Sequence, residues 1–306
     1  MSAPRTGAPV LDRLRVGSAP DSWGVWFPED AQQVHWRRFL DEVAEAGYEW
    51  IELGPHGYLP TEPDVLREET ARRGLRVSAG TVFTSLHHGP AVWDATWAHV
   101  AQVAALARAM DATHLVVIPS FWRDDKTARE LEPRELTAEQ WRHQATGMER
   151  LARQVREEYG LDIVVHPHAD THIDTEENVT RLLDATDRDL VRLCLDTGHY
   201  AYCGGDSVKL IRTYGERIGY LHLKQVDPRI LEDVHANGTP FGPAVRQGVM
   251  CEPPRGVPEL PPVLHAAQEL GVDLFAIVEQ DMYPCPPDQP FPIADRTRRF
   301  LRSCGA

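Results

Sequence analysis

The sequence lacks several features that would assign it to a class of protein at once. It has only five cysteines in 306 residues, and no two of them form a CxxC pair. Scattered cysteines favour a reducing cytoplasm and argue against a disulfide framework or a zinc ribbon. No apolar run approaches the roughly 20 residues that a membrane-spanning helix needs. Residues 1–12 also lack the apolar core of a secretion signal. We therefore expect a flexible leader over residues 1–12, a cytoplasmic location and no membrane partner.

Basic charge is also scarce. Lysine and arginine number 32 against 46 aspartates and glutamates, which gives a net charge of −14. Phosphate contacts need a basic surface, so we expect no nucleic-acid partner, and cleavage of damaged DNA is disfavoured. No G-x-G-x-x-G follows a predicted strand, which removes the main signal of a Rossmann fold. What remains is an ordinary globular composition, 42% hydrophobic, with 14 histidines.

Short apolar runs alternate with amphipathic segments along the chain. The runs are almost continuously apolar, as expected for parallel strands that are buried on both faces. Strands are predicted over residues 15–19, 49–53, 75–79, 114–118, 161–165, 191–195, 218–223 and 274–278. Helices are predicted over residues 31–46, 65–73, 92–110, 138–159, 175–186, 206–214, 263–270 and 293–302. Eight β-then-α units without a linker predict one α/β domain, a single (β/α)8 TIM barrel over residues 13–306.

One stretch after the seventh strand interrupts this rhythm. Residues 225–257 show no clear helical or strand period. A loop of about thirty residues inside a compact domain is usually functional or disordered. We therefore expect a long irregular loop over about residues 225–257 that could form a lid, with Arg246 as a candidate substrate contact.

Imidazoles and carboxylates collect where the last four strands end. A TIM barrel builds its active site at the carboxyl ends of its strands. Strands five to eight end in His166, Asp196, His222 and Glu279, one candidate ligand from each strand. Two imidazole nitrogens and two carboxylates around an open position suit Mn²⁺, Co²⁺, Fe²⁺ or Zn²⁺ better than Mg²⁺ or Ca²⁺. We predict one divalent ion, with Mn²⁺ or Co²⁺ as first choices and Fe²⁺, Zn²⁺ or Mg²⁺ as alternatives.

Two of these ligands have a competing interpretation. Asp196 stands directly before a Thr-Gly-His turn, so it could instead cap the helix that follows. His166 and His168 flank one proline, and either of them could be the fourth ligand. The sequence alone leaves both alternatives open.

Three side chains are candidates for moving protons: His168, Lys224 and Glu52. A divalent cation nearby would disfavour the ammonium form of Lys224, which could then act as an acid or a base. Glu52 ends a buried strand, where an unpaired carboxylate is costly. It is therefore a base, a substrate ligand or the partner of Lys224. The candidate substrate contacts at other strand ends are Trp23, His56, His199 and Gln280.

Seven segments together resemble the xylose isomerase-like TIM-barrel superfamily of sugar isomerases and epimerases. They are GSAPDSW (17–23), GYEWIELG (47–54), VHPH (165–168), LDTGH (195–199), AYCGGD (201–206), HLK (222–224) and VEQD (278–281). The His-x-His and Glu-Gln-Asp ends are most similar to the myo-inosose-2 dehydratase branch. The resemblance implies a metal ion bound by Asp196, His222 and Glu279, and a substrate contact at His199. Many members carry a glutamate where this chain has His166.

The resemblance implies a metal-dependent dehydratase, a hydro-lyase, that acts on a keto-cyclitol such as scyllo-inosose through an enolate, in inositol catabolism. The same chemistry leaves open a ketose 3-epimerase, an aldose–ketose isomerase, or β-elimination on a 3-keto-glycoside. An isomerase would use two opposed carboxylates, and His166 argues against that arrangement. A non-catalytic sugar-binding subunit is a further alternative. The expected partner is a small polyol ketone or ketose, and a homo-oligomer is compatible with the sequence.

Overall fold

The structure, a computed structural model, describes residues 11–124 and 127–306. The strands in this part of the chain are β1 (Leu14–Ser18), β2 (Trp50–Glu52), β3 (Arg76–Thr84), β4 (His114–Pro119), β5 (Asp162–Val165), β6 (Val191–Asp196), β7 (Ile218–Leu223), β8 (Gln225–Val226), β9 (Met250–Cys251) and β10 (Leu274–Val278). Strands β1 to β7 and β10 pair in parallel, in chain order, and β10 pairs back onto β1 to close the barrel. The predicted (β/α)8 barrel is therefore confirmed.

Helices alternate with the barrel strands, and further short helices follow β6 and β8. They are α1 (Trp36–Glu45), α2 (Pro63–Ala71), α3 (Trp93–Ala109), α4 (Ala138–Tyr159), α5 (Glu176–Asp184), α6 (Thr197–Tyr202), α7 (Ser207–Tyr214), α8 (Pro228–Asn237), α9 (Phe241–Arg246), α10 (Leu260–Glu269) and α11 (Pro290–Ser303). None of these helices combines the length and the apolar composition needed to cross a membrane. Of the leader predicted over residues 1–12, residues 1–10 lie outside the described residues.

Capping side chains explain where several helices begin. Thr137 and Gln140 form a reciprocal capping box at the start of α4, and Gly160 ends that helix with a φ of 66°. Asp206 accepts a hydrogen bond from the backbone N–H of Lys209 at 3.0 Å and is therefore the N-cap of α7. Helix α1 begins at Trp36 rather than at residue 31, because His35 caps it.

The segment predicted to be irregular is folded, and that prediction is wrong. Residues 225–226 and 250–251 form a two-stranded antiparallel ribbon, and α8 and α9 lie between its strands. Val226, Val234 and Phe241 are buried in a small apolar cluster together with Tyr202. The segment escaped prediction because its helices are short and its contacts are with distant parts of the chain.

The barrel interior positions the site through the two-residue period of the strands. Val164, Cys194, Tyr220 and Ile277 belong to a buried cluster formed by residues from several strands. Successive residues of a strand face opposite sides, so the residue two positions further along points the same way. Those next residues are His166, Asp196, His222 and Glu279, which therefore lie on one layer at the carboxyl end of the barrel.

Candidate metal and active site

The four side chains that end β5, β6, β7 and β10 meet at the mouth of the barrel. We call His166, Asp196, His222 and Glu279 the mouth cluster; each offers a ligand atom within 4.8 Å of the others, and all four are buried. Asp196 Oδ2 lies 3.4 Å from His166 Nε2 and 3.6 Å from His222 Nδ1. His222 Nδ1 lies 2.9 Å from Glu279 Oε2. His168 is not part of this cluster, so the geometry favours His166 as the fourth ligand.

Asp196 uses its two carboxylate oxygens for different tasks. Oδ1 accepts hydrogen bonds from the backbone N–H groups of Gly198 and His199, each at 2.8 Å, and so caps α6. Oδ2 faces the mouth cluster and lies 3.2 Å from Lys224 Nζ. The helix cap and the metal ligand, which the sequence presents as alternatives, are therefore compatible in one side chain.

Glu52 contacts the His222 ring at the nitrogen that faces away from the mouth cluster. His222 Nε2 lies 2.8 Å from Glu52 Oε1, and Thr81 donates to Glu52 Oε2 at 3.0 Å. A carboxylate only accepts, so His222 carries a proton on Nε2, and in the neutral ring Nδ1 keeps its lone pair for the mouth cluster. A histidine ligand held by a carboxylate in this way is usual around bound metals. The hypothesis that Glu52 pairs with Lys224 is wrong.

The Thr-Gly-His turn after Asp196 shapes the space for Lys224. Thr197 Oγ1 donates to the carbonyl of Lys224 at 2.6 Å and accepts from its N–H at 2.9 Å. A Cβ on Gly198 would lie 2.5 Å from Lys224 Cγ, so the position requires glycine. His199 Nε2 then lies 3.2 Å from Lys224 Nζ. The motif thus supplies one candidate ligand and orients one lysine.

Lys224 is fully buried among carboxylates. Its Nζ lies 2.8 Å from Asp281, 3.0 Å from Glu279, 3.2 Å from Asp196 and 3.8 Å from Asp21. Burial alone would lower the pKa of Lys224, but Asp196, Asp281 and Glu279 outweigh it and hold that pKa well above its usual value. Burial and the charge of Glu279 raise the pKa of Asp21, and burial raises that of Asp281. Two acids with raised pKa values therefore lie beside the Lys224 ammonium group.

Sequence reasoning did not assign a role to Asp21 or Asp281. The signal for Asp281 was available, because it stands two residues after Glu279 and so faces the same side. Gln280, between them, faces the other side: its side-chain amide donates to the carbonyl of Met250 at 3.4 Å. Asp21 lies in the helical turn after β1, where strand alternation no longer applies.

His168 and His199 form a stacked pair beside the mouth cluster. Their ring centroids are 3.7 Å apart with a tilt of 34°. Burial, and then the neighbouring His166, lower the pKa of His168 to about 3. His168 Nδ1 lies 2.8 Å from the carbonyl of Ala169, which can only accept, so Nδ1 carries the proton and Nε2 presents a lone pair. Burial also lowers the pKa of His199 well below its usual value.

These groups face a cavity of about 740 Å³. Its floor includes His166, His168, His199, His222, Lys224, Glu279 and Asp281, and its walls include Trp26, His56, Phe83, Ser120, Phe121 and Phe241. Phe241 comes from α9, so the folded segment after β8 contributes one wall. A cavity of this size accommodates a small molecule.

Three of the predicted substrate contacts lie away from this cavity. Trp23 is fully buried behind it, packs edge-on against Phe39 at 5.0 Å and donates to Glu42 at 2.8 Å. Gln280 lines a separate small cleft. Arg246 is exposed on α9 and is not among the described lining residues. His56 and His199 do line the cavity.

The donor set of the mouth cluster fits a divalent cation. Asp196 Oδ2 and His222 Nδ1 are buried, and charged groups lie beside them, Lys224 at 3.2 Å and Glu279 at 2.9 Å. With His222 neutral both atoms present lone pairs. Burial would lower the pKa of His222, but Cys194, Glu279 and Glu52 outweigh it and raise that pKa well above its usual value. The carboxylates therefore favour a positive charge here, as a proton or as a metal ion. Two nitrogens and two carboxylates suit first-row transition metals.

Comparison with known proteins assigns this barrel to a family. A profile of the xylose isomerase-like TIM barrel family matches residues 40–304, so the chain belongs to that family. It is 30% identical over 293 residues to an inosose dehydratase of Lacticaseibacillus casei, covering 94% of this chain and 96% of the relative. It is 29% identical over 285 residues to an inosose dehydratase of Geobacillus kaustophilus HTA426, covering 90% of each.

A solved structure shares the same fold. The IolI protein, crystallised with a bound zinc atom, superposes with a TM-score of 0.71 at 16% identity, over 95% of this chain and 98% of that one. Dehydratases are lyases, and the extent of the match to the inosose dehydratases supports the prediction that this chain is a lyase.

Proposed function

We propose that the chain is a metal-dependent dehydratase of a keto-cyclitol such as scyllo-inosose, serving inositol catabolism in the cytoplasm. The observation that carries the proposal is the mouth cluster, which opens into a cavity with His168 and Lys224 beside it. The substrate class rests on the inosose dehydratases, which match this chain over at least 90% of its length. His166, Asp196, His222 and Glu279 would hold Mn²⁺ or Co²⁺, with Fe²⁺, Zn²⁺ or Mg²⁺ as alternatives.

A bound divalent ion would polarise the ketone and stabilise the negative charge that develops on its oxygen. His168 is our candidate for the base that removes the proton next to the ketone. Its Nδ1–H is engaged by Ala169, so the lone pair on Nε2 is available, and the ring lines the cavity. A base must come within hydrogen-bond reach of the proton that it removes. In support, the rings of His168 and His166 lie beside each other, with centroids 5.7 Å apart.

Lys224 is our candidate for the acid that assists departure of the β-hydroxyl as water. Its ammonium group carries three protons and lies 2.8 Å from Asp281, which can pass a proton to it after turnover. His199, 3.2 Å from Lys224 Nζ, would contact a substrate hydroxyl. Glu52 is engaged by His222 and Thr81, so we assign it to positioning His222 rather than to proton transfer.

The test is turnover of scyllo-inosose by the purified protein. Metal-free protein is prepared with a chelator, then supplied separately with Mn²⁺, Co²⁺, Fe²⁺, Zn²⁺ or Mg²⁺, and formation of the dione is followed by its absorbance. We expect turnover with Mn²⁺ or Co²⁺ and none in the metal-free protein. Absence of turnover with every ion would reject this substrate.

The same samples separate the dehydratase from its alternatives. The reactions are run in deuterium oxide with a panel of ketoses and 3-keto-glycosides. An epimerase or isomerase would incorporate deuterium into its substrate without loss of water. Elimination on a glycoside would release the aglycone. A sugar-binding subunit would bind these ligands and convert none of them.

A further inference from the structure

A second group of side chains that commonly bind metals lies on the rim of the barrel mouth. His87 and His88 lie in the helical turn Leu86–Val92 after β3. Glu132 lies in the connection between β4 and α4, and His172 in the connection between β5 and α5. We call these four residues the rim cluster. His87 and His172 are almost fully buried, whereas the side chain of His88 is 42% exposed.

The three imidazoles converge on the one carboxylate. The Nε2 atoms of His87 and His88 lie 2.9 and 3.1 Å from Glu132 Oε2 and Oε1. The Nε2 atom of His172 lies 3.8 Å from Glu132 Oε2. Two atoms that bind one tetrahedral ion at about 2.0–2.2 Å lie roughly 3.3–3.6 Å apart. Ligand atoms of His87, His88 and Glu132 lie within 4.8 Å of one another, and His172 Nε2 would have to move closer to join them.

The orientation of His172 leaves one ring nitrogen facing Glu132 without a hydrogen bond. Its Nδ1 lies 3.0 Å from the carbonyl of Arg134, which can only accept, so Nδ1 carries the proton. In the neutral ring Nε2 then presents a lone pair toward the Glu132 carboxylate. This atom is buried without a hydrogen bond, and the whole residue is 2% exposed. A lone pair of a buried nitrogen that faces a carboxylate is unfavourable, and a cation bound between the two groups would satisfy both.

We propose that the rim cluster is a second divalent-metal site, of the zinc type, with His87, His88, His172 and Glu132 as ligands. Three imidazoles and one carboxylate favour Zn²⁺ or Co²⁺ over Mg²⁺ or Ca²⁺, which prefer oxygen ligands. A backbone carbonyl bonded to the distal Nδ1–H, as at His172, is the usual support of a histidine ligand.

The position of the rim cluster gives the ion a structural task. It would join the connections that follow β3, β4 and β5. Ser120 Oγ lies 3.5 Å from His87 Nδ1, and Ser120 and Phe121 both line the cavity. The ion would thus hold one wall of the substrate cavity in place, without contacting the mouth cluster.

The test counts metal ions on the full chain. Metal-free protein is titrated with Co²⁺ and with Zn²⁺, and binding is followed by calorimetry and, for Co²⁺, by visible absorption. We expect two classes of site in the wild-type protein. Glu132→Gln keeps the side-chain shape but removes the charge, and His88→Ala removes a half-exposed ligand without opening the core. In each variant one class should be lost or weakened by at least about 10–100-fold.

The control is His265→Ala, which removes an exposed histidine of α10 and should leave both classes unchanged. Circular dichroism establishes that each variant is folded. If Glu132→Gln and His88→Ala bind metal with the same stoichiometry and affinity as the wild type, the rim cluster is a hydrogen-bonded network and the proposal is rejected. The remaining class in these variants reports separately on the mouth cluster.

Discussion

The mouth cluster and the rim cluster contain the same kinds of side chain in different surroundings. The mouth cluster lies on the strand ends, next to Lys224 and Asp281, and opens into the cavity. The rim cluster lies on loops, and no lysine of the described chain pairs with Glu132. Catalytic metal sites keep an open position for substrate, whereas structural sites fill their shell with protein ligands. On the proposed assignments, neighbouring proton donors and open space, rather than ligand type, would distinguish the site for chemistry from the site for stability.

The largest effect is expected from Lys224→Met, which removes the proposed acid beside the mouth cluster and leaves the rim cluster intact. Losing a positioned acid typically costs about 10²–10⁴-fold in rate, so kcat for the keto-cyclitol should fall by that factor. Steady-state kinetics at saturating metal measures the change. Metal binding at the rim cluster should stay as in the wild type. An unchanged kcat would remove Lys224 from the mechanism.

Gly198→Ala should act through Lys224. The new Cβ would lie 2.5 Å from Lys224 Cγ, so the lysine must move. Overpacking of this kind typically costs about 1–3 kcal/mol in the free energy of unfolding, and kcat should fall because Nζ leaves its position. Urea denaturation and kinetics measure the two effects. A variant with wild-type kcat and stability would show that this contact is not tight in solution.

Glu52→Gln should weaken metal binding at the mouth cluster alone. The amide cannot accept as strongly from His222 Nε2, and loss of such a supporting carboxylate typically costs about 10–100-fold in metal affinity or activity. Calorimetry with Mn²⁺ or Co²⁺ measures it. At saturating metal most of the activity should return, which a base at this position would not allow. A loss of kcat that saturating metal does not restore would instead support a role for Glu52 in proton transfer.

The smallest effect is expected from Phe121→Leu, on the cavity wall next to the rim cluster. Phe121 lines the cavity and packs edge-on against His168 at 5.2 Å. We expect KM to rise by about 10-fold or less, because the substitution removes apolar contact without removing a polar group. The kcat value should stay near that of the wild type. A fall in kcat as large as that of Lys224→Met would mean that the wall also positions the base.

Much of the candidate site could be predicted from strand periodicity. The carboxyl ends of parallel barrel strands meet at one face, so one polar residue at each of four strand ends was enough to predict the mouth cluster. The same alternation, continued past Glu279, would have predicted that Asp281 faces the cavity and that Gln280 does not. Trp23 could not be placed in this way, because it lies in a turn where the period of two is lost.

The sequence by itself determined the eight βα units, the family and the four residues of the mouth cluster, because these follow from local periodicity and from motifs at strand ends. Only the tertiary structure decided which oxygen of Asp196 caps α6 and which faces the cluster, and that Glu52 holds His222. It also brought together the rim cluster, whose members come from three separate connections. Loops have no repeating pattern, and their mutual positions depend on contacts between residues far apart in the chain, so local sequence carries little information about them.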